Sequence, residues 1–141
     1  MASWADVSRS APELAETVRR LFEAHKHKTM ATLRRDGSPR ISGIEATFEG
    51  EDLWLGMMPD SRKAQDLRRD PRMALHSTSV GEDWEADAKV SGRAIEVPAE
   101  GYHRFRIDIT EVVLTRLGEP PDHLVIEWWR EGQGVRSVRR T

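Results

Sequence analysis

Cysteine is absent from the 141 residues. Disulfides, thiolate nucleophiles and Cys-based zinc or iron–sulfur sites are therefore excluded. No apolar run approaches the ~20 residues that a membrane span needs. The start, Met1-Ala2-Ser3-Trp4-Ala5-Asp6, lacks the charged and apolar regions of a secretory leader. An excess of positive charge is missing too. The 22 Lys+Arg stand against 24 Asp+Glu, for a net charge of -2. That balance argues against nucleic acid or an anionic membrane as the main partner. Internal repeats and low-complexity segments are also lacking. The expectation is one cytoplasmic domain over residues 1–141, able to bury roughly two-thirds of its unfolded surface without staples.

What is present is a series of short strand patterns joined by tight turns. Ser10 with Glu13 has the spacing of a capping box, and Leu14, Val18, Leu21 and Phe22 share a helical face. A helix is predicted from about Ala11 to Ala24. Strands are predicted at Thr29–Leu33, Arg40–Phe48, Leu53–Met57, Met73–Ser79, Asp87–Val97, Arg106–Leu117, His123–Trp129 and Val135–Arg139. A helix over Ser61–Arg69 stops before Pro71, and a short one is expected to start within Pro98–Tyr102. An acidic loop around Gly81–Glu85 separates the halves, and Gly118–Pro121 is a linker. Many strands with few helices predict a mainly β protein, a small antiparallel barrel with flanking helices.

The most informative stretch is Asp60-Ser61-Arg62-Lys63-Ala64-Gln65-Asp66-Leu67, followed by Asp70-Pro71. A hydroxyl, a guanidinium and an ammonium stand together where a strand gives way to a helix. The helix start adds unpaired N–H groups and a partial positive charge. Together these make a seat for a phosphate. Because the rest of the chain is not basic, a small phosphorylated cofactor suits it better than a polymer. His25 and His27 lack nearby carboxylates, and His76, His103 and His123 look isolated, so no metal site is expected. No acid–base pair stands out as catalytic.

This order of elements resembles the split-barrel flavoproteins of the pyridoxamine 5′-phosphate oxidase superfamily, from about His27 to Arg140. Four motifs carry the resemblance. Arg40 starts the second strand, whose backbone Ile41-Ser42-Gly43-Ile44 lies along the flavin ring in that family. Ser61-Arg62-Lys63 with Asp70-Pro71 matches the family's phosphate signature. Lys89 stands where a glutamine touches the flavin. Trp128-Trp129, Gly132, Arg136 and Arg140 match the C-terminal pattern. The vitamin half of the pattern is lost: Glu45 replaces a lysine that holds the vitamin phosphate, and Ser137-Val138 follow Arg136 where a histidine is expected.

The resemblance therefore implies a homodimeric split β-barrel of the flavin/deazaflavin oxidoreductase branch, not a true pyridoxamine 5′-phosphate oxidase. FMN or the deazaflavin coenzyme F-420 is the implied cofactor, transferring hydride to a small organic substrate. Arg40, Ile41, Ser42, Gly43, Ser61, Arg62, Lys63 and Lys89 are the implied cofactor-binding residues. Trp128 or Trp129, on opposite faces of their strand, and Arg136 are implied to reach the cofactor from a partner chain, with Trp129 taken as the candidate. The alternative is a non-catalytic carrier of a flavin, deazaflavin or haem.

Overall fold

A computed structural model describes residues 2–79 and 83–141. Gly81 and Glu82 of the expected acidic loop lie outside the described residues. The elements run α1 (Trp4–Ser10), α2 (Pro12–Glu23), β1 (His27–Leu33), β2 (Pro39–Glu49), β3 (Asp52–Met57), α3 (Arg62–Arg69), β4 (Arg72–His76), β5 (Ala86–Val97), β6 (His103–Leu117), β7 (Leu124–Arg130) and β8 (Gly134–Arg140). The strands pair in the order β3-β2-β1-β4-β5-β6-β7-β8, every one antiparallel to its neighbour. β6 also pairs with β3, which closes β1–β6 into a six-stranded barrel. The fold is mainly β, as expected. β7 and β8 leave the barrel as a hairpin.

Closure depends on β6, the longest strand at 15 residues. Its first residues pair with β3, its length with β5 and its second half with β7. Full closure removes the exposed edges an open sheet would carry. Near the shift in register at Ser91/Gly92 the two backbones come close. A Cβ at Gly92 would stand 2.0 Å from the Asp108 carbonyl oxygen, so only glycine fits there. Met30, Leu53, Leu55, Leu75, Val90, Phe105, Ile107 and Ile109 fill the interior. The alternation of the strand sequences sends them inward and their polar neighbours out.

α2 lays Leu14, Ala15, Val18 and Phe22 on the barrel, packing on β5 and β2. Its start differs from the expected capping box. The N-cap is Ala11, with no side-chain cap. Ser10 instead ends α1, a helix the sequence patterns did not suggest, and its hydroxyl accepts the Trp129 indole N–H at 2.9 Å. The capping box in this region is Ser3 with Asp6. The helix expected within Pro98–Tyr102 does not form. Those residues make bends, and Gly101 has φ +82. No described helix is long and apolar enough to cross a membrane.

Candidate functional site

A cleft of about 650 Å³ lies on the outside of the barrel where β2, β3 and the start of α3 meet. β2 sends Ile41, Gly43, Glu45 and Thr47 outward. A Cβ at Gly43 would meet nothing within 4 Å, so the β2 backbone lies bare there. Gly56 on β3 leaves room for the Tyr102 ring at ordinary contact distance, 3.8 Å from where its Cβ would stand. Met57, Met58 and Tyr102 give the cleft apolar walls. Ile41 is 74% exposed and Met58 79% exposed, a large apolar outlay for a surface. Lys63 reaches from α3 into this cleft, where its ammonium donates to the Gly43 carbonyl. Burial holds that ammonium below the usual lysine range.

Beside the cleft lies a basic hollow formed by Arg35, Arg40, Arg62 and Arg69 over α3. Its base is Asp66, 3% exposed. Asp66 accepts from Thr32 Oγ1 at 2.8 Å, Arg40 Nε at 2.7 Å and Arg69 at 3.0 Å. Burial pushes this carboxyl up, but the three hydrogen bonds outweigh it and hold it below its ordinary value of 3.8. Arg40 is thereby fixed through Nε, and its two terminal nitrogens keep no partner among the described residues. Arg62 makes no hydrogen bond or ion pair among the described residues either. Ser61 caps α3, its oxygen accepting the Ala64 N–H at 3.3 Å. Its own hydroxyl proton is left to donate. Three donors and a helix start thus converge on a hollow whose four arginines are matched by two carboxylates, Asp66 and Asp60.

The turn Met58-Pro59-Asp60-Ser61 joins cleft and hollow. The Ser61 N–H returns to the Met58 carbonyl at 3.3 Å, and Asp60 has φ +61. On the far side of the turn a second cleft of about 580 Å³ holds Arg68, Glu96 and His103. Arg68 makes a two-pronged ion pair with Glu96, at 2.7 and 2.9 Å.

The structure thus places Gly43, Ser61 and Lys63 in the cleft and Arg40 and Arg62 in the adjoining hollow, while Ile41 is exposed on β2 and lines neither. It divides the Ser61-Arg62-Lys63 triplet: Arg62 faces the hollow, while Lys63 faces the cleft. Ser42 turns inward, and its hydroxyl is buried without a partner. Lys89 is exposed on β5, not in the cleft. It belongs to one register row across the outer face, Gly43, Thr29, His76, Lys89, Val113, Trp128 and Arg136. Three strand spacings separate it from Gly43, about 14 Å. Trp129 corrects an expectation. It is 3% exposed and its indole N–H is taken by Ser10, so its ring belongs to its own core. Trp128, its neighbour on β7, occupies the outer row instead, as strand alternation requires.

Sequence reasoning missed Asp66, Thr32 and His103. His103 is not isolated. It touches Glu96, Arg68 and the Asp60 backbone. Among the described residues no cluster of His, Asp and Glu is arranged to hold a metal ion.

The sequence model of the pyridoxamine 5′-phosphate oxidase family matches residues 14–116. No curated protein is similar to the chain in sequence. A solved structure of a pyridoxamine 5′-phosphate oxidase-related, FMN-binding protein from Nostoc punctiforme is similar, with a TM-score of 0.70 at 11% identity, covering 97% of this chain and 99% of that one. An F420 reductase gives a TM-score of 0.56 at 17% identity, covering 65% and 92%. A haem-binding protein from Mycobacterium smegmatis gives 0.61 at 15% identity, covering 90% and 87%.

Proposed function

The chain belongs to the pyridoxamine 5′-phosphate oxidase family, and on that premise we propose that it binds FMN or coenzyme F-420 and transfers hydride to a small organic substrate. The observation that carries this reading is the convergence of the bare Gly43 backbone with the unpaired Arg62 and the free terminal nitrogens of the Asp66-anchored Arg40. A flat ring with a phosphate-bearing side chain needs that pair of features: an open strip for the ring and a fixed anion seat beside it.

The bound cofactor would supply the hydride chemistry at its ring. The chain's own residues bind and orient. Arg62 and the terminal nitrogens of Arg40 take the phosphate, and Ser61 donates its hydroxyl. The α3 N-terminus adds its partial charge. Lys63, anchored on Gly43, keeps a cation at the cleft floor and favours negative charge on whatever lies there. Glu45 faces the cleft with Lys26 at 3.4 Å and His27 at 3.7 Å. A carboxylate in that place disfavours a phosphorylated substrate, so pyridoxamine 5′-phosphate is not the substrate in this reading.

The protein acts as a homodimer in this account. Lys89, Trp128 and Arg136 stand too far from their own Gly43, and a second subunit would bring its copies over the open cleft. FMN and the deazaflavin differ beyond the ring: FMN ends in one phosphate, whereas F-420 continues into an acidic tail. The hollow continues past Arg69 toward Arg34, Arg35 and Arg72. Arg34 and Arg35 have no ion-pair partner among the described residues. Arg72 is taken by Asp70, so Arg34 and Arg35 are the cations of that run that would favour the longer anion. Reduction of bound F-420 or FMN, followed by its reoxidation on adding an acceptor, tests the oxidoreductase reading. A cofactor that binds yet stays reduced with every acceptor would indicate a carrier.

A further inference from the structure

We infer that His103 is a positioning residue for the anion seat: its neutral ring holds the turn that presents Ser61 and Arg62, and a second proton on that ring releases it. This rests on the reading of the seat given above. Asp60 occupies the third position of the Met58–Ser61 turn with φ +61, a conformation that glycine adopts freely and other residues resist. What holds a non-glycine residue there is its own N–H, which donates to His103 Nε2 at 3.2 Å.

That bond sets the proton on the ring. Nε2 must accept, so the neutral ring carries its hydrogen on Nδ1, which points at Glu96 Oε2, 3.1 Å away. Arg68 stands 3.2 Å from the same nitrogen. Its Nη2 gives one N–H to Glu96, and the other could reach Nδ1 only on a ring whose hydrogen sits on Nε2, the form that the Asp60 N–H opposes. A second proton can go only to Nε2, where it would face the Asp60 N–H with no lone pair between them. Two donors then oppose each other, and the turn loses its tether.

The charges facing the ring come from every packed element. Glu96 approaches from β5, Arg68 from α3 and Asp60 from the turn, with Tyr102 just before β6 and Arg104 on it as the ring's chain neighbours. From β3, Met57 pairs with His103 and is uncharged. The hydrogen bond from Arg68 holds Glu96 below the usual carboxylate range, and the Glu96 carboxylate in turn raises Arg68. Both partners therefore keep their charges where imidazoles titrate, and only the ring changes state. Ser61 follows Asp60 directly, so a freed turn loosens both the α3 cap and the approach of Arg62.

The test is amide hydrogen exchange at Asp60 in the cofactor-free protein, followed by NMR from pH 7.5 to 5.5 and corrected for intrinsic rates. Wild type should lose about tenfold in protection across that range, the scale of one hydrogen bond. In His103→Gln an amide oxygen accepts in place of Nε2 and cannot titrate, so protection should stay flat. His103→Phe should show low protection at every pH. The affinities for FMN and for F-420, measured over the same range, should fall more steeply in wild type than in His103→Gln. That comparison removes the phosphate's own titration. Equal pH dependence of exchange in wild type and His103→Gln, or none in wild type, overturns the inference. Failure of both cofactors to bind while exchange behaves as expected would count against the proposed function and leave the tether standing.

Discussion

Asp66 on α3 and Arg40 on β2 are locked together by a 2.7 Å hydrogen bond from Arg40 Nε to Asp66 Oδ2. The carboxylate is nearly sealed from solvent, while the guanidinium keeps its outer nitrogens at the basic hollow. Asp66 thus fixes a flexible arginine, and under the proposed function it is this fixed guanidinium that donates to the cofactor phosphate.

Asp66→Asn should therefore cost stability by about 1–3 kcal/mol, because a charged acceptor of three hydrogen bonds is lost. It should also weaken FMN more than riboflavin, which has the same ring and no phosphate. Parallel titrations of the two ligands separate the roles. Equal loss for both would make Asp66 a purely structural residue.

Acid stability follows from the same carboxylate. Its folded pKa lies below the ordinary 3.8, so its contribution is complete above that value and is lost as pH falls through the lowered one. Urea unfolding from pH 6 to 3 should show stability falling with acid in wild type. The slope should be shallower in Asp66→Asn, where that group no longer titrates.

Gly43→Val separates fold from function. The added side chain meets open space and suits a strand, so stability should change by less than about 0.5 kcal/mol. The bare strip beside Lys63 would be covered. FMN or F-420 should then bind at least roughly tenfold more weakly. Thermal unfolding and a cofactor titration on one sample check both halves.

Ser10→Ala tests the placement of Trp129. Removing the hydroxyl strands a buried indole N–H and should cost about 1 kcal/mol. Cofactor affinity should not move, since Trp129 lies in its own core. A loss of affinity without loss of stability would return Trp129 to the site.

Much of the barrel could be read from alternation and turn residues. The β2 and β3 boundaries fell within one residue of Arg40–Phe48 and Leu53–Met57, because Gly and Asp turns frame those strands sharply. α1 escaped notice because seven residues with two buried positions give no periodic signal. Ser10 misled because its spacing to Glu13 fits a cap, while the partner that claims its hydroxyl is 119 residues away. The local part of the proposed anion seat, Ser61 and Arg62 at the start of α3, could be placed from the sequence because it lies within one turn of helix. Asp66 with Thr32 and His103 with Asp60 could not, since only the packing of α3 on β1 and of the Met58–Ser61 turn against β6 brings them together across 34 and 43 residues. Alternation told that Trp128 and Trp129 face opposite ways, but only the packing of α1 decides which one is buried.

The central claim is that Arg62 and Lys63 serve one phosphorylated ring cofactor at the Gly43 cleft. Titrating FMN and F-420 into wild type and into Arg62→Ala/Lys63→Ala, followed by fluorescence, tests it most directly. The account predicts micromolar or tighter binding of one cofactor. It also predicts a loss of at least roughly a hundredfold in the double variant, with its thermal stability retained. Binding of neither cofactor to wild type, or equal binding to both proteins, would contradict it.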